Sequence, residues 1–287
     1  MTQLPSITIA LQHATQCLGA VGAQHDDGAR LDAEILLGFV LRCTRSHLHT
    51  WPDRLLDETQ AQLYRALIER RAVGEPVAYL TGQREFWSMV LEVTPDTLIP
   101  RPETELLVEL ALQRIPADSA WRLLDLGTGS GAIALAIARE RPHCHIIATD
   151  RSAAALAVAR RNAVTLGVSN IEFRTGDWFA PLQGELFHVI ASNPPYVSHL
   201  DPRLGTTDIR FEPLSALTSG ADGLDDIRQI AATARQHLAE SGWLLLEHGY
   251  AQGTAVMQIL CGYGYQEVNN VQDIAGSDRV TSGRWTP

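Results

Sequence analysis

The spacing of hydrophobic and polar positions changes along the chain. Up to about residue 75 apolar residues recur at helical spacing, as in the segment 31–40. Between 76 and 100 the apolar runs become short and β-like, in VAYLTG and FWSMVLEV. We therefore predict an N-terminal helical bundle over residues 1–75, a β-like joint over 76–100 and a larger domain over 101–287.

The larger domain alternates short apolar runs with longer stretches of helical period. The runs are WRLLDLG, HIIATD, IEFRTG, FHVIASN and WLLLEHG. Strands that are apolar throughout indicate a parallel sheet covered by helices on both faces. YQEVNNVQD and DRVTSGRWT then follow each other without a helical stretch, which predicts a C-terminal antiparallel hairpin. The fold class predicted for this domain is α/β.

Composition and charge limit the function classes. The formal charge is -10, and all 23 basic residues are arginine. Such a balance disfavours direct nucleic-acid binding, because phosphate neutralisation dominates that interaction. The sequence contains no run of about 18 apolar residues, so it predicts no membrane span. The segment MTQLPSITIALQ does not have the pattern of a signal peptide. The four cysteines have no paired spacing, which favours a reducing, cytoplasmic location.

The first strand of the larger domain leads into a glycine-rich turn, DLGTGSGA. Gly127, Gly129 and Gly131 allow a tight turn and close approach to a ligand, because a Cβ would obstruct either. Asp150 ends the next strand, where an acid accepts hydrogen bonds from ribose hydroxyls. The spacing fits a dinucleotide site, and it equally fits an S-adenosylmethionine site preceded by an acid, here Asp125. A tight turn that binds no ligand has the same spacing.

The fourth strand of this domain leads into SNPPY. In a doubly wound sheet that strand lies beside the first, so Asn193 would face the glycine turn. Pro194 and Pro195 stiffen the backbone and remove two N–H donors, which leaves a rigid group of carbonyl acceptors. Tyr196 adds a flat face for a planar group. This segment suits a planar –NH2 group, from a base or a carboxamide, that attacks a sulfonium methyl group, and a dehydrogenase does not need it.

Sequence blocks along nearly the whole chain resemble one family. DLGTGSGAIA, GDW (176–178) and SNPPY are similar to segments of class I amino-methyltransferases. REFWS, TLIPRPETE, RFEPLSAL and LLLEHG narrow the resemblance to the release factor glutamine methyltransferases, the PrmC/HemK group. The resemblance implies a class I S-adenosylmethionine-dependent methyltransferase fold, with a Rossmann-like seven-stranded sheet, a C-terminal antiparallel hairpin and a small N-terminal helical domain. It also implies methylation of N5 of the glutamine in the Gly-Gly-Gln motif of class I peptide chain release factors, with S-adenosylhomocysteine as product.

The same resemblance implies the site residues. Asn193 would contact both cofactor and substrate, Trp178 would lie beside the adenine, and Pro194, Pro195 and Tyr196 would complete a catalytic glutamine pocket. The cofactor-binding residues would be Gly127, Thr128, Gly129, Ser130, Gly131, Asp150, Trp178 and Asn193. No metal is expected: His143, Cys144 and His145 invite a metal site, but no third ligand is evident nearby.

Two other functions remain open at this point. Adenine-N6 methyltransferases of DNA or RNA share the Asn-Pro-Pro-Tyr segment, but they would need a basic groove, and residues 1–90 hold 8 arginines and 10 acids. A non-catalytic S-adenosylmethionine sensor would not need an intact Asn-Pro-Pro-Tyr segment. We further expect the N-terminal domain to dock a protein substrate and the segment 198–223 to be a substrate-facing flap. His248 is either a base or, in our preferred interpretation, a structural polar residue.

Overall fold

Helices form the N-terminal unit of the chain. The computed structural model describes residues 4–20, 26–205 and 208–287, and the chain divides into the units Met1–Gly82 and Gln83–Pro287. The helices of the first unit are α1 (Ile7–Ala20), α2 (Asp26–Leu41), α3 (Arg45–Thr50), α4 (Glu58–Ala72) and α5 (Val77–Thr81). Their apolar faces bury one core, which includes Ile7, Leu36, Leu37, Leu48 and Leu67. The predicted N-terminal helical region is therefore confirmed.

The β-like prediction for VAYLTG is wrong, because Val77–Thr81 form helix α5. Pro76 precedes the helix, and Gly82 ends it with φ +71°, a left-handed conformation that glycine favours. An apolar run this short does not distinguish a strand from a helix by its period. FWSMVLEV does contribute to a hairpin, β1 (Gln83–Phe86) with β2 (Met89–Glu92). The boundary between the units therefore falls inside the predicted joint of 76–100.

A seven-stranded sheet forms the centre of the second unit. Its strands are β3 (Arg122–Leu126), β4 (His145–Asp150), β5 (Ile171–Thr175), β6 (Phe187–Ser192), β7 (Leu238–Glu247), β8 (Gln266–Gln272) and β9 (Asp278–Arg284). The order is β5-β4-β3-β6-β7-β9-β8, and β9 runs antiparallel to both of its neighbours. The predicted α/β class and C-terminal antiparallel hairpin are confirmed.

Alternate residues of the central strands bury opposite faces of the sheet. The helices of this unit are α6 (Thr104–Arg114), α7 (Ala132–Glu140), α8 (Ala153–Leu166), α9 (Asp225–Ala234) and α10 (Gly253–Gly262). Leu123 and Val189 belong to one core with residues of α6 and α7, whereas Leu124 and Ile190 belong to a second core with residues of α9 and α10. Burial on both faces explains why these strands are apolar throughout. Among the described residues, no helix is both long and apolar enough to cross a membrane.

The winding of the sheet reverses between β3 and β6, which are parallel neighbours. Leu126 pairs with Thr149 on one side and with Ser192 on the other. The residues that follow β3, β4 and β6 therefore emerge together at one edge, as predicted for Asn193 and the glycine turn. This edge carries the candidate site.

Gly131 shows how tightly the glycine turn packs. Its φ is +88°, and an added Cβ would lie 3.0 Å from Leu135 Cδ1 and 3.2 Å from the Ala159 Cβ. Gly167 also has a positive φ, +68°, but a Cβ there would meet nothing within 4 Å. We expect Gly167→Ala to lower the free energy of unfolding by about 1 kcal/mol through backbone strain alone. Gly131→Ala should lower it by about 3 kcal/mol, because crowding adds to the strain.

Urea unfolding of the two variants beside the wild type tests this expectation. Equal losses at the two glycines would contradict the role assigned to crowding at Gly131.

Candidate active site

A cavity of about 200 Å³ opens at the carboxyl ends of β3, β4 and β6. We call it the first cavity. The predicted site residues that line it are Gly127, Gly129, Asp150, Trp178, Asn193 and Pro195. The fold therefore brings residues far apart in the sequence to one concave surface.

The glycine turn is held against β4 and covered by an indole ring. The backbone N–H groups of Gly127 and Thr128 both donate to the Thr149 carbonyl at 2.9 Å. Gly127 has φ +72°, and a Cβ on it would lie 3.4 Å from the Trp178 ring. A Cβ at this position would be in ordinary van der Waals contact with the indole, so it is the positive φ that favours glycine here.

Three of the predicted cofactor-binding residues do not line the first cavity. The Thr128 hydroxyl donates to Asp125 Oδ2 at 2.6 Å, the Ser130 carbonyl accepts from Asn162 Nδ2 at 2.9 Å, and Gly131 precedes helix α7. In this structure these residues stabilise the glycine turn and do not line the first cavity. Their direct contact with a cofactor stays a prediction.

Asp150 is half-buried at the end of β4, with its carboxylate at the first cavity. Its Oδ2 accepts from the Gly129 N–H at 2.9 Å, and its Oδ1 accepts from the Ser152 N–H at 2.8 Å. Burial raises its pKa, and these two backbone hydrogen bonds oppose the rise. Each carboxylate oxygen has a further lone pair, so Asp150 can still accept hydrogen bonds from a pair of hydroxyls.

Asn193 lies between the first cavity and a second cavity of about 500 Å³. Its Nδ2 donates to Thr104 Oγ1 at 3.1 Å. Its Oδ1 is buried and has no hydrogen-bond partner among the residues that the structure describes. A buried acceptor without a donor costs about 1–3 kcal/mol, which makes this oxygen a candidate for contact with a ligand N–H or O–H group.

The remaining residues of the Asn-Pro-Pro-Tyr segment divide between the two cavities. Pro195 lines the first cavity, whereas Pro194 and Tyr196 line the second. The Tyr196 carbonyl accepts from Gln252 Nε2 at 3.0 Å, which fixes the backbone at this corner. Burial, with the nearby charge of Glu247, raises the pKa of the Tyr196 hydroxyl, so it stays protonated.

The segment 198–223 covers the same edge of the sheet, apart from residues 206–207, which lie outside the described part. Pro213, Ser215 and Ala216 of this segment line the first cavity. Glu212 is buried; it forms an ion pair with Arg101 and accepts from the Ile99 N–H at 3.1 Å. These contacts fasten the predicted flap to the chain beside the site.

Sequence reasoning missed several residues around the cavities. Residues 95–98 and Arg151 line the first cavity, and Thr104 anchors Asn193. The block TLIPRPETE contains part of this set and was the available signal, although its residues gained their meaning only from the fold.

None of the histidines in the described part of the chain lines either cavity. The His248 ring is buried and hydrogen-bonds to Thr281, Asn270 and the Gly249 carbonyl, as a structural polar residue would. Burial lowers its pKa. Within the described ranges, no group of three or more His, Cys, Asp or Glu residues could hold a metal ion.

Two family models match the chain. The PrmC N-terminal domain matches residues 10–82, and the methyltransferase small domain matches residues 103–211. The release factor glutamine methyltransferase of Vibrio cholerae is 49% identical over 98% of this chain and 98% of its own. That of Pseudomonas aeruginosa is 52% identical over 90% of this chain and 93% of its own.

A solved structure supports the fold independently. A methyltransferase from Pyrococcus furiosus aligns with 78% of this chain and 98% of its own, with a TM-score of 0.53 and 18% identity. At that identity the likeness concerns the fold alone.

Asp125 allows a test of the electrostatics beneath the glycine turn. It is buried, and desolvation raises its pKa to about 7, against hydrogen bonds from the Thr128 hydroxyl and the Ala134 N–H. Because the folded-state pKa is raised, the folded protein keeps a proton that the unfolded chain releases between about pH 4 and 7. The free energy of unfolding should therefore fall as pH rises through that window.

Asp125→Asn removes this contribution. Relative to wild type, the variant's free energy of unfolding should increase with pH by up to about 1.4 kcal/mol per pH unit in that window. Urea unfolding at several pH values measures the difference, with the exposed Asp118→Asn as the control for loss of one carboxyl group. If the difference between the two variants does not change with pH, Asp125 does not hold the proton.

Proposed function

The chain belongs to the release factor glutamine methyltransferase family, and from that premise we propose which reaction takes place at its two cavities. A methyl group is transferred from S-adenosylmethionine to the side-chain amide nitrogen of a glutamine, and S-adenosylhomocysteine is released. The acceptor is the glutamine of the Gly-Gly-Gln motif of class I peptide chain release factors. Because a glutamine side chain has one nitrogen, the product is the N5-methylated residue. The relatives from Vibrio cholerae and Pseudomonas aeruginosa support this reaction by their names and near-full-length similarity.

One observation carries the proposal: Asn193 lies between the two cavities with its Oδ1 buried and unpartnered among the described residues. A primary amide supplies the N–H donor that this oxygen lacks. The carbonyl of Pro194, whose following residue is also a proline, is a second acceptor held by a stiff backbone. Together they can accept both N–H bonds of a glutamine amide and fix the direction of its nitrogen.

Orientation is the main catalytic task of these residues. The amide nitrogen is a weak nucleophile, because its lone pair is delocalised into the carbonyl group. S-adenosylmethionine supplies an electrophilic sulfonium methyl group when bound. Asn193 and Pro194 hold the nitrogen for in-line attack and stabilise the positive charge that develops on its N–H groups. The N-methylated amide sheds its extra proton readily, so no side chain is required as a base.

The first cavity suits S-adenosylmethionine by the residues that line it. Asp150 offers lone pairs for the ribose hydroxyls, and Trp178 offers a flat apolar face for the adenine. Gly127 and Gly129 leave room for the methionine end, because neither has a side chain. The second cavity, with Pro194 and Tyr196, takes the glutamine of the substrate.

The rest of the chain selects the protein substrate in this proposal. A single glutamine side chain offers too little contact area for selectivity. The helical unit therefore docks the release factor, and the segment 198–223 covers its glutamine. Release factors act on ribosomes, so the reaction belongs in the cytoplasm.

Incubation with methyl-labelled S-adenosylmethionine tests the substrate class. The acceptors are a class I release factor, the same factor with its motif glutamine replaced by alanine, duplex DNA, and ribosomes. We expect label on the first alone, and none with the Asn193→Ala variant, whose fold is checked by its thermal midpoint. Label on duplex DNA would instead support the adenine-N6 alternative, which the formal charge of -10 disfavours.

Asp150→Ala tests the assignment of the first cavity. Loss of a charged acceptor for the ribose hydroxyls should weaken S-adenosylmethionine binding by about 1.5–3 kcal/mol, or roughly 10- to 150-fold in Kd. Isothermal titration calorimetry measures the effect, with Asp118→Ala as an exposed acid outside the cavity for comparison. Unchanged affinity in Asp150→Ala would refute the ribose contact.

A further inference from the structure

Glu247 is a buried acid that the proposed mechanism leaves without a task. It ends β7, and only 1% of its surface is exposed. The preceding residue, Leu246, pairs with Ser192, so Glu247 and Asn193 emerge side by side at the edge of the sheet. One carboxyl oxygen, Oε2, has no hydrogen-bond partner in the described part of the chain.

Burial raises the pKa of this carboxyl group, and the nearby hydroxyl groups of Thr104 and Tyr196 oppose the rise, because they favour its ionised form. Thr104 is the same residue whose Oγ1 accepts from Asn193 Nδ2 at 3.1 Å. The Thr104 hydroxyl is therefore near the Glu247 carboxyl group and is hydrogen-bonded to Asn193. Tyr196 joins the same carboxyl group to the other end of the Asn-Pro-Pro-Tyr segment.

We propose that Glu247 is a positioning residue, which fixes the orientation of the Asn193 amide through the Thr104 hydroxyl. The inference rests on the proposed function, because it concerns the acceptor that holds the substrate amide. A threonine hydroxyl has one proton to donate. When Thr104 donates that proton to the Glu247 carboxylate, its oxygen can only accept. Asn193 must then turn Nδ2 towards Thr104 and Oδ1 towards the substrate.

Packing cannot make this choice, because the two ends of a carboxamide have nearly the same size. A protonated Glu247, or a glutamine in its place, can itself donate to the Thr104 oxygen, and the Thr104 hydroxyl can then donate to Oδ1 of a flipped Asn193. The –NH2 group of Asn193 would then face the –NH2 group of the substrate, and two donors do not bond to each other. Glu247 therefore determines that Asn193 presents its acceptor oxygen, and not its –NH2 group, to the N–H groups of the substrate.

Charged and titratable groups surround Glu247 from several elements. Arg279 on β9 and the Tyr196 hydroxyl favour its ionised form, and Glu103 before α6 opposes it. His248 follows in the chain, with its ring bonded to Thr281 and Asn270. Burial is the largest influence and raises the pKa of Glu247 to about 7. Methyl transfer should therefore lose activity as Glu247 becomes protonated below about pH 7.

The experiment measures kcat, the KM for S-adenosylmethionine and their pH profiles in the full chain. Glu247→Gln keeps the shape of the side chain but cannot ionise. We expect kcat near pH 8 to fall by about tenfold or more, as for loss of one orienting hydrogen bond. The KM should stay within about twofold, because Glu247 does not line the first cavity. The loss of activity that we expect of the wild type below pH 7 should be absent from the variant.

Variants of Thr104 separate positioning from simple structural support. Thr104→Val removes the hydroxyl at constant shape and should reproduce the fall in kcat, whereas Thr104→Ser keeps the hydroxyl and should remain within about threefold of wild type. The double variant Glu247→Gln/Thr104→Val should be no slower than either single variant, because both changes break the same contact. Thermal midpoints confirm that each variant is folded before its rates are compared.

The proposal is overturned if Glu247→Gln keeps the kcat and the pH profile of the wild type. It is also overturned if the effects of the two changes multiply in the double variant. A wild-type enzyme that labels DNA instead of a release factor would defeat the proposed function alone. The same variants would then be measured with DNA as acceptor, since a base –NH2 group needs the same polarity at Asn193.

Discussion

A buried carboxamide oxygen that lacks a donor is the constraint on which this site depends. Folded proteins rarely leave such an atom unbonded, because the loss costs about 1–3 kcal/mol. Oδ1 of Asn193 is buried and has no hydrogen-bond partner among the described residues. The two prolines that follow have no N–H group and cannot satisfy it locally. The corner therefore keeps an unpartnered acceptor in a residue that lines both cavities, and the surrounding structure supplies the stability that tolerates it.

The sheet brings that acceptor to the first cavity. β3 and β6 are parallel neighbours at the point where the winding reverses, so the glycine turn and Asn193 leave the sheet side by side. The strands are held in register by cores on both faces, which include Leu123 and Val189 on one side and Leu124 and Ile190 on the other. A one-residue slip of β6 would exchange these faces and turn Asn193 away. Precision at the site is therefore a consequence of ordinary core packing.

Much of this arrangement could be predicted from the sequence, because its signals are local. The alternation of apolar runs with stretches of helical period predicted the sheet. Because ligands bind where the winding of such a sheet reverses, the same pattern predicted that Asn193 lies beside the glycine turn. The helix at Val77–Thr81 was missed, since so short a run has no readable period. Thr104 and Glu247 were missed for a different reason. Thr104 lies 89 positions before Asn193 in the sequence, and nothing in its neighbourhood shows which residue it will meet.

The two buried acids of the site show the same difference between local and distant contacts. Asp125 accepts from Thr128 and Ala134, both within nine positions of it, and supports the turn that it precedes. Glu247 meets hydroxyls from two other parts of the fold. An acid that contacts only its neighbours in the sequence can shape a backbone turn, but it cannot connect the two cavities. Only a contact made by the tertiary fold can do that, so in the proposed function the selectivity for a planar amide depends on residues outside the Asn-Pro-Pro-Tyr segment.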